Sequence, residues 1–139
     1  MKLLLIILLL SPSSSYSVSC IDFTGNYESF DGIVELKQVG CEAIKRSSIS
    51  LDGTAISDTI FTNGETSKLE MNSGLNVLAT ISPEGLTLFW KPQVESQIRY
   101  FKTIITLDSQ KNIVGQTFGF KNLEEVELLG GPLFNKRVQ

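Results

Sequence analysis

Fifteen carboxylates, two cysteines and no histidine define the chemistry open to this 139-residue chain. Without histidine no side chain changes charge near neutrality unaided, and no Ser-His-Asp or Cys-His arrangement can activate a nucleophile. The usual imidazole metal ligand is missing as well. Cys20 and Cys41 are expected to form one disulfide, which leaves no thiolate for catalysis or for a zinc site. Two carboxylates are enough for glycoside hydrolysis, yet no spacing here singles out a pair, and Glu124-Glu125-Glu127 reads as a solvated face. The patterns of a Gly-rich phosphate loop and of a calcium loop are absent from the sequence. The chain is therefore expected to be non-enzymatic, with no catalytic residue, metal or cofactor, and to act by binding.

Among candidate binding residues, Arg99 comes first. It falls in the extended segment 97–107, in phase with Phe101, Thr103, Ile105 and Leu107. If that face points inward, its guanidinium would pair a ligand carboxylate in an apolar pocket, with Trp90, Phe101 and Phe118 lining the same space. The competing reading leaves Arg99 at the exposed end of its strand, its stem packed and its head in water. Trp90, in phase with Leu86 and Leu88, likewise fits a core position. Two partner classes follow. One is a small hydrophobic ligand inside a barrel. The other is a protein partner, bound by the surface loops of a filled barrel that acts as an inhibitor or interaction module, with aromatics at 27–32 and 89–92 as its anchors. Small or polar residues at inward-phase positions (Ala79, Thr103, Gly115, Gly119) favour the cavity.

The elements that must position these residues are short strands. Turn signals recur every eight to twelve residues from Asp31-Gly32 to Gly130-Gly131-Pro132, and the segments between them are rich in Ile, Val, Thr, Phe and Tyr. Strands are expected near 24–30, 33–39, 43–51, 55–61, 66–72, 75–82, 86–91, 97–107, 112–120 and 123–129, with an eleventh at 133–138. The segment 122–130 also fits a short helix capped by Asn122 and ended by Gly130. Short connections make sequence neighbours antiparallel neighbours, and so many strands leave two open edges unless the sheet closes. The expected architecture is all-β: an antiparallel up-and-down meander closed into a barrel of 8–10 strands.

The N-terminus bears on compartment. Met1-Lys2 followed by the apolar run Leu3 to Leu10 and a Ser-rich stretch with Pro12 has the form of a secretory signal peptide over residues 1–19. The run is too short to span a bilayer, which takes roughly 20 residues. The remaining residues, 20–139, form one domain, expected to be soluble, without a transmembrane segment, and secreted or periplasmic. Losing the leader removes only Lys2 among charged residues, so the mature chain is slightly more acidic than the full chain at −3. An acidic balance without basic clusters argues against nucleic acid as a partner. In an exported chain two cysteines default to a disulfide. A two-residue turn at Asp31-Gly32 would bring Cys20 within a residue or two of Cys41. Lipidation of Cys20 is the alternative.

At Thr24-Gly25-Asn26-Tyr27 the first strand opens with Gly-x-aromatic. This resembles the start of lipocalin-type and related calycin barrels, in which Gly-x-Trp begins strand one and the aromatic ring plugs the closed end. Tyr27 stands where that family has Trp. For the family's late-strand Arg, which stacks on the ring, Lys121 and Arg137 are the residues available here. The resemblance implies a small exported meander barrel able to hold an apolar ligand.

Overall fold

Alternating apolar residues and frequent tight turns build a ladder of short strands. The structure is a computed structural model that describes residues 19–30, 32–122 and 126–139, with 126–131 described through their backbone. Asp31, residues 123–125 and residues 1–18, where the leader is expected, lie outside the described residues. In order, the strands are β1 (Gly25–Ser29), β2 (Gly32–Val39), β3 (Ala43–Ser50), β4 (Ala55–Phe61), β5 (Asn63–Leu69), β6 (Leu75–Ile81), β7 (Leu86–Trp90), β8 (Tyr100–Leu107), β9 (Ile113–Phe120), β10 (Val126–Asn135) and β11 (Arg137–Val138). A 3₁₀ turn, Glu70–Asn72, follows β5. Val126–Asn135 is strand, which excludes a helix over 126–130; residues 123–125 of that segment lie outside the described residues.

Two antiparallel sheets result, one ordered β11-β1-β2-β3-β4 and the other β10-β9-β8-β7-β6-β5. Only Thr62 separates β4 from β5, and only Lys136 separates β10 from β11, so the chain passes between sheets within one residue at each place. Thr62 is buried at its corner; its N–H donates to the Glu42 carbonyl and its hydroxyl to the Cys41 carbonyl, both at 2.7 Å. The first strand pairs with the last, Asn26 opposite Val138 and Tyr27 opposite Arg137. Between the sheets lies an apolar core that includes Phe23, Tyr27, Ile44, Ile60, Leu69, Val77, Ala79, Leu86 and Ile113.

Several turn signals are used differently from expectation. Ser29 pairs with Gly32, so Gly32 begins β2 instead of closing the turn, and paired residue numbers across this hairpin sum to 61. This position suits glycine, since a side chain on Gly32 would sit 3.0 Å from the Ile49 carbonyl oxygen, at φ +141°. That register sets Cys20 opposite Cys41, and the two form a disulfide with Cα atoms 5.8 Å apart. The bridge occupies the sulfur that lipidation of Cys20 would need. Asn63-Gly64 and Gly130-Gly131-Pro132 prove to be irregularities inside β5 and β10, where the register slips, and not strand breaks. Both strands are sheet edges, where bulges, Gly and Pro are tolerated. β8 starts at Tyr100, three residues later than expected, because Pro92 and the Ser96 hydroxyl, which accepts from the Ile98 N–H at 3.1 Å, shape the preceding loop.

The β3–β4 loop gives one pH prediction. Asp52 accepts from the Ser50 hydroxyl and, at 2.9 Å, from the Thr54 N–H. The Ser50 hydroxyl, with the Thr54 N–H second, holds the Asp52 carboxyl down to about 2 from 3.8. A carboxyl depressed in the folded state adds stability that is complete above its unfolded value and is lost as pH falls through the folded one. Urea midpoints measured from pH 5 to pH 2 should therefore fall over this window, and by less in Asp52→Asn. An identical profile in the variant would contradict the assignment.

Candidate functional site

Alternation along each strand decides what faces inward. On the first sheet Tyr27, Val34, Leu36, Ile44 and Ile60 face the second sheet, which replies with Leu86, Leu88, Ile105, Ile113 and Leu133. These side chains, with Phe23 beneath them, leave a cavity of about 240 Å³. Ser29, Asn135 and Arg46 are the other polar contributors to its wall besides the Tyr27 hydroxyl. The hydroxyl is already committed, donating to the Phe23 carbonyl at 3.0 Å. Burial pushes the Tyr27 phenol up from its ordinary value and outweighs the nearby Arg137 cation, which pulls it down.

One end of the cavity is closed by the segment before β1. Phe23, 1 % exposed, has its N–H on the Gln38 side-chain oxygen at 3.0 Å, and the Ile21 N–H reaches the Ser82 carbonyl at 3.0 Å. Gln38 returns through its amide nitrogen to the Ile21 carbonyl at 2.8 Å and the Gly40 carbonyl at 3.0 Å. Arg137 completes this end. Its guanidinium carbon stands 5.9 Å from the centre of the Tyr27 ring, and Nη2 donates to the Thr24 carbonyl at 3.0 Å. Gly25 makes room for it: a Cβ there would lie 3.0 Å from Arg137 Nη2. Of the two cations the sequence offers for the position over Tyr27, the structure therefore uses Arg137.

The four expected ligand-binding residues are not brought together. Arg99 is exposed and precedes β8, tied by its N–H to the Phe120 carbonyl at 2.8 Å. The structure thus takes the exposed-end alternative, because the strand begins one residue too late to carry Arg99 inward. Trp90 and Phe101 do share the inner phase and stack with ring centres 4.1 Å apart, but they pack against each other and do not line the cavity. The Trp90 indole N–H donates to the Thr103 hydroxyl at 3.4 Å, which in turn lies 3.0 Å from the Thr117 hydroxyl, so the small inward residue Thr103 marks a filled position. Phe118 is on the outer face. Gly119, its neighbour, is the residue opposite Phe101, and Phe118 joins Ile104, Val114, Gln116 and Phe134 around an external groove. No protein-family model, curated protein or solved structure matches this chain.

Sequence reasoning missed the charged residue that the cavity does contain. Arg46 on β3 lies opposite Asp58 on β4, and Arg46 Nη2 reaches Asp58 Oδ2 at 2.6 Å and Asn72 Oδ1 at 2.7 Å. The Asp58 side chain is 0 % exposed and the Arg46 side chain 20 %. Asp58 also accepts from the Glu70 N–H at 2.8 Å and the Met71 N–H at 3.2 Å, and this pins the 3₁₀ turn that ends β5. A signal was present. Asp58 sits two residues from both Ile56 and Ile60, so its carboxylate shares a face with two apolar side chains and requires a cation.

Among the described residues no three His, Cys, Asp or Glu side chains gather as metal ligands, and no helix is long and apolar enough to cross a membrane.

Proposed function

We propose that this chain is an exported, non-enzymatic binding protein that holds a small hydrophobic ligand between its sheets, and that the sheets close into a lipocalin-like barrel. The observation that carries the reading is the apolar cavity of about 240 Å³ walled by both sheets. Closure is supported by the pairing of β1 with β11 and by the one-residue passages at Thr62 and Lys136. The lipocalin-type resemblance is supported by Arg137 over Tyr27 and by the Gly25 position that admits it. Export is supported by the leader-like N-terminus and by the disulfide. An all-carboxylate acid set without histidine supports binding over catalysis.

Cavity size bounds the ligand. Drug-sized pockets start near 300 Å³, so this space suits something smaller than a long-chain lipid. Toluene is a fitting probe. Calorimetric titration of the full-length protein should show saturable 1:1 uptake with a rise in melting temperature; no uptake at the solubility limit of toluene would overturn the reading.

The outer face supports a second reading, a protein-interaction module. Phe134 is 58 % exposed beside Ile104, Val114 and Phe118, and the Gln116 side-chain nitrogen is buried there with no hydrogen-bond partner among the described residues. The hairpin tips add Phe30 and Leu51, both almost fully exposed. A protein that takes up no apolar probe but captures a partner through Phe134 would favour this reading.

A further inference from the structure

Within the cavity-binding reading, on which this inference rests, we propose that the ligand is a small alcohol. Its apolar body lies between the sheets, and its hydroxyl stands at the cavity mouth against Ser29 and Asn135. Exposure along the chain locates that mouth. Phe23 and Tyr27 are each 1 % exposed, whereas Ser29, two residues beyond Tyr27, is exposed and still lines the cavity. Successive residues of a strand alternate between faces, so Ser29 shares the inward face of Tyr27. Past Cβ a serine side chain is only its hydroxyl, and that group therefore meets the opening.

Register makes polarity a property of this end of the sheet and not of one residue. Ser29 pairs with Gly32 and Gly32 with Ser50, a row that is small or polar throughout. Val34 and Leu36, deeper on the same face of β2, are apolar and line the cavity. On the other side of β1, Tyr27 lies opposite Arg137 and the Glu28 N–H donates to the Lys136 carbonyl at 2.8 Å, which sets Asn135 beside Ser29. Asn135 lines the cavity too, and its Nδ2 is fixed on the Glu28 carbonyl at 2.8 Å. Its carbonyl oxygen remains to accept, and the Ser29 hydroxyl rotates to donate or accept. A hydroxyl is the smallest ligand group that answers both. Charge excludes a carboxylate in its place. Arg46, the cation of the cavity wall, is already neutralised by Asp58 Oδ2 at 2.6 Å, so an anion would give up water with no surplus cation to meet. Volume sets the rest: about 240 Å³ holds on the order of eight water-sized groups.

The test uses three probes of nearly equal size, ethylbenzene, benzyl alcohol and benzoate, titrated into the full-length protein at pH 7.5 and read by NMR. In the benzyl alcohol complex the methylene beside the hydroxyl should show nuclear Overhauser contacts to Ser29, and the ring to Ile60 and Leu88. Benzoate should bind at least about tenfold more weakly than the alcohol. Ser29→Ala changes an exposed position and should keep the melting temperature. It should weaken benzyl alcohol about fivefold and leave ethylbenzene within about twofold. Benzyl alcohol bound with its ring at Ser29, an affinity unchanged in Ser29→Ala, or benzoate binding tightest overturns the inference and leaves the cavity reading standing. Failure of all three probes to bind overturns both.

Discussion

Replacing Asp58 by alanine should cost this protein about 3–5 kcal/mol of stability, the loss seen when one partner of a buried ion pair is removed. The variant leaves the Arg46 guanidinium, 20 % exposed, without its counter-ion. The Glu70 and Met71 N–H groups also lose their acceptor, so the turn that ends β5 loosens along with the cavity wall. Domains of this size have about 5–15 kcal/mol in total, so the expected drop in melting temperature is roughly 10–25 °C. Urea denaturation measures it. A cost below about 1 kcal/mol would mean that the pair is solvated and that Arg46 does not belong to the interior. The double variant Arg46→Met with Asp58→Leu should recover the part of the loss that comes from the unpaired charge, but not the part that comes from the Glu70 and Met71 N–H groups, which still lack an acceptor.

Removing the disulfide ranks next. Cys20 and Cys41 are 21 residues apart in sequence, and a bridge over a loop of that length contributes about 3 kcal/mol through restriction of the unfolded chain. Cys20→Ser with Cys41→Ser should therefore melt about 10–15 °C lower. Because the effect acts on the unfolded state, native amide chemical shifts should change only around Gln38, Gly40 and Thr62, whose hydrogen bonds touch the bridge region. A melting temperature unchanged by the double substitution would contradict the chain-entropy account. Widespread shift changes would mean that the bridge also holds the 20–24 segment over the cavity end.

Strands and bridge were legible in the sequence for a physical reason: alternation and turn residues act locally, and each strand reports its own phase. Pairing register is not local. Three residues lie between Ser50 and Thr54, whose N–H and carbonyl are bonded, with Gly53 at φ +83°, where a two-residue turn at Asp52-Gly53 would move every pair by one. Arg46 faces Asp58 only because of that extra residue, so the cavity's charged group could not be found by phase alone. Phe118 failed differently. In β9 Ile113, Gly115, Thr117 and Gly119 share one phase and Val114, Gln116, Phe118 and Phe120 the other. Expecting Gly115 and Gly119 to point inward is incompatible with an inward Phe118, since successive residues of a strand point to opposite faces. The structure keeps the glycine phase inward, with Gly119 and Thr117 opposite Phe101 and Thr103, where the Trp90–Phe101 stack takes the space. Arg99 was placed by extending β8 past the point at which its ladder begins.

An interior open to a ligand is the central requirement of ligand binding between the sheets, and locating bound toluene tests it most directly. In a crystal of the full-length protein exposed to toluene, the ring should lie between Leu36 and Ile60 of one sheet and Leu88 and Ile105 of the other. Toluene found only on the outer face, against Phe118 and Phe134, would contradict it.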